Sequence, residues 1–389
     1  MLRATKVRIY PTDEQAEFLN AQFGAVRLAY NKALYIKSHY YRVYGLSLNP
    51  KKDLKPLLAV AKKSRKYHWM KQFDSIALQQ AVINLHTAFE RFFDPKIKAN
   101  HPQFKSKHGK QSSYHCMGVA VLDGAIKLPK MQPIKAVIHR EIKGVVKSMT
   151  VIRNACGNYY ASILVDDGVA LPEPVQSIDT VIGVDLGLSH FAIRSDGVKI
   201  ANPRFVKRAQ VNLRRKQRQL SRKQKGSRNR AKARLLVAKC HEKTANARSD
   251  FQHKLSRTLI DENQAVIVET LKSANMMKNR HLAKAIGDAG WYGFVVKLEY
   301  KAKEQGKHLV KIDQWFASSK TCSCCGHKLE ELLLNVRDWH CPACSTQHDR
   351  DINAAITIET EGVLKLKAAG LVVTACGGLR KSPMVGVAA

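Results

Sequence analysis

Residues 181–193 read VIGVDLGLSHFAI, and the fold of the C-terminal half follows from them. An apolar run ends on a full charge, Asp185, which predicts a buried strand over 181–185 that emerges at its carboxylate. Gly183 and Gly187 flank that carboxylate and read as cleared space for a phosphate backbone to approach. Residues 190–195 predict a second strand, Asp196-Gly197 a hairpin turn and 198–202 a third strand, an antiparallel meander. Beyond it lie a long helical segment from Arg204, a strand over 265–269 (AVIVE), a helix over about 283–305 and a strand over 307–313. A cysteine-rich insert and a helix over 351–360 follow.

Three antiparallel strands and then alternating helix and strand is the element order of an RNase H-like α/β domain. It is preceded by 168–178 (GVALPEPVQSI), whose prolines and lost periodicity predict a linker. Further upstream, residues 2–10 (LRATKVRIY) alternate like a strand, and Thr12 reads as the N-cap of a helix. Apolar spacing is helical from Glu14 to about Phe93, through Leu19, Phe23, Leu34, Leu78, Val82 and Leu85. Asp94-Pro95 breaks it, and 95–113 is basic, acid-free and loop-like. From 114 to 167 the period drops to two, with turns at Asp123-Gly124 and Cys156-Gly157-Asn158. A small β-barrel or sandwich is expected there, with strand 2–10 as a possible member. The tail from Gly377 lacks periodicity and predicts loose order.

Charge narrows the function. The 66 Lys and Arg against 31 Asp and Glu leave a formal charge of +35, which a polyanion such as nucleic acid would neutralise. A hydrophobic share of 45% allows buried cores and excludes a solvated polycation. Apolar runs fall short of the roughly 20 residues of a spanning helix, which argues against a membrane partner. The N-terminus has no apolar secretion core, so the expected location is a reducing cytoplasm.

Three carboxylates end or begin predicted elements. Asp185 alone reads equally as a turn aspartate, Glu269 as half of a salt bridge, and Asp351 as an acid that the helix dipole favours in a first turn. Together, strand-Asp, strand-Glu, helix-Asp is the order of a two-metal phosphodiesterase site holding Mg²⁺ or Mn²⁺. Asp185 would bridge the ions, Glu269 and Asp351 would each complete one, and Asp349 and Arg350 would flank them as supporting or phosphate-contacting groups.

Five of nine cysteines crowd into 322–344, which points to metal and not to disulfides. Cys322-x-x-Cys325 and Cys341-x-x-Cys344 have the spacing of one structural zinc ion in a closed tetrahedron of thiolates. Cys324, His327, His340 and His348 are alternatives that the spacing disfavours. Cys116, Cys156, Cys240 and Cys376 read as core or surface thiols.

Between Arg204 and Arg234 stand fourteen Lys or Arg and no acid. A solvated helix normally mixes signs, so a track along phosphates is expected, through Arg214, Arg215, Lys216, Arg218, Arg222, Lys223, Arg228 and Arg230. Gly226-Ser227 predicts a break into two helices.

The stretches KVRIYPTDEQ, ALQQAVINLHTAFERFF, PQFKSKHGKQSS, IGVDLGLSHFA, VIVETLKSANMMKN, SSKTCSCCG and WHCPACSTQHDRDINAA resemble the TnpB (OrfB) family of bacterial transposons, relatives of the type V CRISPR nucleases. Small departures are Ala317 where the family often has proline and Thr357 where asparagine is usual; neither removes a candidate ligand. The resemblance implies an RNA-guided DNA endonuclease with a transposon-derived guide RNA, cutting double-stranded target DNA beside a short flanking motif. It also implies an α+β multidomain chain: a wedge-like β-barrel (1–10 with 106–170), a helical recognition lobe (11–105) and a RuvC-like nuclease domain (171–389) carrying a zinc-ribbon-like insert (318–346). Ser75 and Gln80 are candidate contacts to the flanking motif, since glutamine can pair with adenine, although helix packing is an equal reading for Gln80. Two other readings stand beside this one, an RNA-guided repressor without cleavage and a metal-dependent transposase. Three mutually repelling acids argue against the repressor.

Overall fold

The computed structural model describes residues 1–97, 99–107, 109, 111–333 and 335–374. The tail from Gly377 and Cys376 lie outside the described residues. The chain divides into two compact units, the first Met1–Ala170 and the second beginning at Leu171.

In the first unit, strand β1 (Leu2–Tyr10) leads into helix α1 (Asp13–Tyr44). Thr12 caps α1 as read: its side chain accepts from the Gln15 N–H while the Gln15 side chain accepts from the Thr12 N–H, and together they satisfy two otherwise orphaned donors. Gly45, left-handed at φ 67°, ends the helix. A π-helical turn (Pro50–Leu54), α2 (Lys55–Ala61) and a 3₁₀ turn (His68–Gln72) lead to α3 (Ser75–Phe93), so the helical stretch is interrupted and not continuous. Leu19, Phe23 and Leu34 of α1 and Leu78, Val82 and Leu85 of α3 share one core with strand residues Val7, Ile9 and Ile163. Each such side chain contributes about 1.5–3 kcal/mol by leaving water.

The remaining strands of this unit are β2 (Gln111–Cys116), β3 (Ala120–Leu122), β4 (Ala125–Lys127), β5 (Ile134–Val137), β6 (Val145–Asn154) and β7 (Tyr159–Asp166). They form one sheet in the order β2-β6-β7-β1-β5-β4-β3, so β1 occupies its middle. Among the described residues no pairing joins the edge strands β2 and β3 of this sheet, which stands where a small barrel or sandwich was expected. Alternation of buried and half-buried residues along β7 gives the sheet one core face.

The second unit contains β8 (Ser177–Ile178), β9 (Val181–Asp185), β10 (His190–Arg194), β11 (Lys199–Ala201), α4 (Phe205–Ser221), α5 (Arg228–Glu262), β12 (Ala265–Glu269) and α6 (Ser273–Met276). Then come α7 (Ala283–Ala289), α8 (Trp291–Glu304), β13 (His308–Ile312), β14 (Asp338–His340), β15 (Gln347–Asp349), α9 (Arg350–Ala368) and β16 (Val372–Val373). Its main sheet runs β11-β10-β9-β12-β13, with β10 antiparallel to both neighbours and β9, β12 and β13 parallel. The meander and its turn fall where the sequence put them.

Strand alternation sends Val266 and Val268 into a core with Leu259, Trp291 and Phe294 of α5 and α8. The intervening Ile267 packs with Ile358 of α9, so helices cover both faces. Gly290, at φ 65°, divides the expected helix over 283–305 in two. The break is stabilised by α5: Gln252 donates to Ala289 O and Gly290 O, and Arg248 to Gly287 O and Asp288 O. No helix among the described residues is long and apolar enough to cross a membrane.

Candidate functional site

Asp185 and Glu269 end adjacent parallel strands, since Val184 pairs with Val268 in register. Both share strand parity with Ile267, which puts them on the face that α9 covers, and Asp351 lies in the first turn of α9. The structure therefore brings the three acids together from positions far apart in sequence. Burial pushes the Asp185 carboxyl well above the usual carboxylate range; a hydrogen bond with Glu269 and the charges of Glu269 and Asp351 act in the same sense, opposed by Arg350. Among the described residues the four zinc-candidate cysteines are the only group of three or more such side chains with all donor atoms within 4.8 Å, so the acid trio is the more open arrangement.

Asp349 and Arg350 do not stand as free flanking groups. The Asp349 side chain caps α9 by accepting from the Asp351 and Ile352 N–H groups, each at 3.0 Å, and pairs with Lys199 at 2.5 Å. Against the cost of burial, these bonds hold its carboxyl below its ordinary value. Arg350 is buried and donates to Leu333 O at 2.7 Å, which ties the start of α9 to the insert. Arg337, from the insert, reaches Asp351 at 3.2 Å.

Gly183 also departs from its reading. A Cβ there would lie 2.2 Å from Ala355 O and 2.8 Å from Glu359 N, so its missing side chain admits α9 to the sheet and not a phosphate backbone. Three polar residues escaped the sequence reading. Glu359, buried, accepts from the Gly183 N–H at 3.3 Å and from the Ser195 hydroxyl. Asn353, two residues after Asp351, accepts from Ser323 N at 2.9 Å and donates to Thr321 O at 2.7 Å, latching the insert to α9. Asp288 accepts from Val206 N at 2.9 Å and so caps α4, whose flanking Arg204 supplies no side-chain cap. Asn353 and Glu359 left one signal, a polar residue on an otherwise apolar helix face.

In the insert, the Sγ atoms of Cys322, Cys325, Cys341 and Cys344 all lie within 4.8 Å of one another. Cys322 to Cys344 is 3.7 Å and Cys325 to Cys341 is 3.6 Å. A tetrahedron of thiolates around zinc, with Zn–S near 2.3 Å, has edges of about 3.8 Å, so the donor set fits that ion. The Thr346 hydroxyl and N–H lower the Cys344 thiol to about 6, which favours the ligating thiolate. Of the alternatives, Cys324, His327 and His340 are exposed, and His348 Nε2 lies 3.0 Å from Cys322 Sγ, beside the sulfur cluster.

The basic segment forms α4 and α5, separated at Gly226-Ser227 with Ser227 capping α5. Its cations divide. Arg214, Arg215, Arg218 and Arg222 line one depression with Val211 and Gln219, and Lys223 and Arg228 are exposed. Lys216 is half-buried against Cys240 Sγ at 3.2 Å, and Arg230 donates to Leu220 O and Lys223 O, closing the end of α4. In the first unit, Ser75 accepts from Lys62 at 2.7 Å and Gln80 donates to Asn84 at 3.1 Å, so both have intramolecular partners.

Three family models match: "Probable transposase" over 162–280, "Cas12f1-like, TNB domain" over 291–358, and "Helix-turn-helix domain" over 1–45. The last stretch holds a strand and one unbroken helix here. A Streptomyces pristinaespiralis protein named "Putative RNA-guided DNA endonuclease" is 39% identical over 385 residues, covering 97% of this chain and 92% of that protein. InsQ of Escherichia coli, which carries the same description, is 29% identical over 98% of this chain and 95% of that protein. Among solved structures, a chain of a Cas12f1–sgRNA–target DNA complex aligns at TM-score 0.54 and 14% identity, covering 90% of this chain and 83% of that one, and shares the fold. On the full-length match at 39% identity, this chain belongs to the TnpB (OrfB) family.

Proposed function

We propose that the chain is an RNA-guided DNA endonuclease whose second unit is an RNase H-like (RuvC) nuclease domain. The observation that carries this is the meeting of Asp185, Glu269 and Asp351 on one face, from two adjacent strand ends and a helix start. The names of full-length relatives support the RNA-guided part.

Asp185 would contact both of two Mg²⁺ or Mn²⁺ ions, with Glu269 and Asp351 each completing one; hard oxygen donors on an open face suit such ions. Bound together, the two ions would activate water and stabilise the leaving oxygen of a phosphodiester. The chain's own part is to hold three acids against their mutual repulsion. Arg337 and Arg350 offset some of that charge, while α9, latched through Asn353, keeps Asp351 in place. Cys322, Cys325, Cys341 and Cys344 would hold one zinc ion whose role is to order the insert that carries Arg337. The exposed arginines of α4 would follow nucleic-acid phosphates, the wedge and recognition segments of the first unit would engage a short flanking motif, and pairing with the guide would supply sequence choice.

The test uses protein purified with its copurifying RNA, which is then sequenced. Asp185→Ala should abolish cleavage of a matched duplex and retain binding; cleavage by that variant, or by the parent in EDTA, would overturn the assignment. The match to a "Probable transposase" family over 162–280 favours one second reading, a transposase, and a strand-joining assay with transposon ends separates it from hydrolysis.

A further inference from the structure

The first unit contains a cavity of about 1010 Å³ between the C-terminal half of α1, the end of α3 and residues 101–104. Aromatic rings dominate its walls. Tyr35 and His39 lie with ring planes 5° apart, and the His101 ring sits edge-on to Phe89 and Phe92 with centroids at 5.4 Å. The rim rings are exposed, Tyr35 by 51%, Tyr41 by 65%, Phe93 by 67% and Phe104 by 59%. Folding normally covers such surface, and four exposed aromatics around one hollow are a patch that calls for a partner.

Charge selects the partner. Exposed Arg42 lines the cavity beside Lys37, whose ammonium is engaged within the fold, and among the described residues no carboxylate does. Neither the chain segment 32–48 nor 95–113, which together supply most of the walls, contains an acid. The frame is also preformed: buried Lys37 donates to Ser47 Oγ at 2.9 Å and Leu48 O at 2.5 Å, pinning the turn after α1. Aromatic faces beside an exposed cation, here Arg42, are what unpaired nucleobases need, because stacking takes the base and the guanidinium takes its phosphate. Ser38 and Gln103 on the wall add hydroxyl and amide groups that can meet a ribose 2′-hydroxyl.

We propose that this aromatic cleft binds unpaired nucleotides of single-stranded RNA. The inference rests on the nucleic-acid reading above and assigns it a second contact surface, separate in chemistry from the α4 arginines. Stacking is sequence-tolerant, so the cleft holds RNA without reading it.

The experiment uses the full-length protein and a 15-nucleotide uridine oligomer carrying 4-thiouridine, at salt high enough to suppress contacts made to phosphate alone. Photocrosslinks should map to Tyr35, Tyr41, Phe93 or Phe104. Tyr35→Ala with Phe104→Ala should weaken binding about tenfold, and Tyr35→Phe should keep it, since the ring and not the hydroxyl does the stacking. Both aromatics are exposed, and circular dichroism of the variant confirms that the fold is kept. Equal loss for the deoxythymidine oligomer would overturn the assignment to RNA. A stable dimer that Tyr41→Ala with Phe93→Ala dissociates would assign the cleft to a second copy instead. Unchanged affinity in the cleft variant at high salt, while replacing Arg214, Arg215 and Arg218 weakens binding at low salt, would overturn the cleft and leave the function standing. A parent protein that binds neither oligomer would also overturn the cleft, and one that in addition copurifies with no RNA and cleaves no matched duplex would overturn the function itself.

Discussion

The Gly183 N–H donates to Glu359 Oε2 at 3.3 Å, where strand β9 passes beneath helix α9. Two residues from Asp185 along the chain, the sheet and the helix are thus joined by a buried carboxylate, and the absence of a side chain on Gly183 makes the approach possible. This contact helps to set the position of Asp185 relative to Asp351.

Gly183→Ala should therefore destabilise the second unit by about 3 kcal/mol, since the methyl group would meet backbone atoms that cannot rotate away. Chemical denaturation of the purified protein measures it. A loss below about 0.5 kcal/mol would show that α9 yields easily, contrary to this packing.

Removing the partner should hurt less but reach the site. Glu359→Ala leaves the Ser195 hydroxyl without its acceptor and the Gly183 N–H with Ser195 Oγ alone, at 3.0 Å, and should cost about 1–3 kcal/mol, while Glu359→Gln keeps one acceptor oxygen and should cost less. The two variants compared by thermal unfolding give the order; equal stability of Glu359→Ala and the parent would dismiss the contact.

The raised Asp185 pKa has a signed consequence for stability. Its folded form holds the proton more tightly than the unfolded chain does, so the stabilisation present at low pH is lost as pH rises through the raised value. In chelator, stability should fall across that window by at most about 1.4 kcal/mol per pH unit from this group. Asp185→Asn should remove that fall and be the more stable protein at neutral pH, whereas added Mg²⁺ should stabilise only the parent. Identical pH profiles for the two would contradict the buried, crowded carboxyl.

Elemental analysis of protein purified reduced and without chelators should find one zinc per chain. Cys341→Ser should lower that content and expose the insert around Trp339, now packed with Cys322 and Cys341, to proteolysis. Full-length protein with no zinc but an ordered, protease-resistant insert would count against the site.

The cations of α4 split between four arginines on one depression and Lys216, engaged with Cys240. Arg214, Arg215, Arg218 and Arg222 replaced together by glutamine should flatten the salt dependence of nucleic-acid binding, each lost contact reducing the slope by about 0.9 for duplex DNA or 0.7 for single strands. Lys216→Gln should leave the slope alone, because its ammonium faces Cys240 within the hairpin. Affinity across a salt series separates the two.

The sequence by itself determined the elements and the candidate ligands. Apolar runs ending on Asp185 and Glu269, the Thr12–Gln15 box, the Asp196-Gly197 turn, the Gly226-Ser227 break and the paired cysteines are all local patterns, written within a few residues of where they act. Tertiary structure alone decided the rest. Whether Gly183 makes room for a phosphate or a helix, whether Arg350 faces a substrate or the insert's carbonyls, and whether Lys216 is free or engaged depend on which face a distant element presents. The same holds for Gly290, whose break in the helix is secured by Arg248 and Gln252 of α5, and for Glu359, an unremarked acid until α9 lies on β9. A buried polar atom must find its partner wherever the chain brings one, and that requirement is satisfied in three dimensions and leaves no period in the sequence.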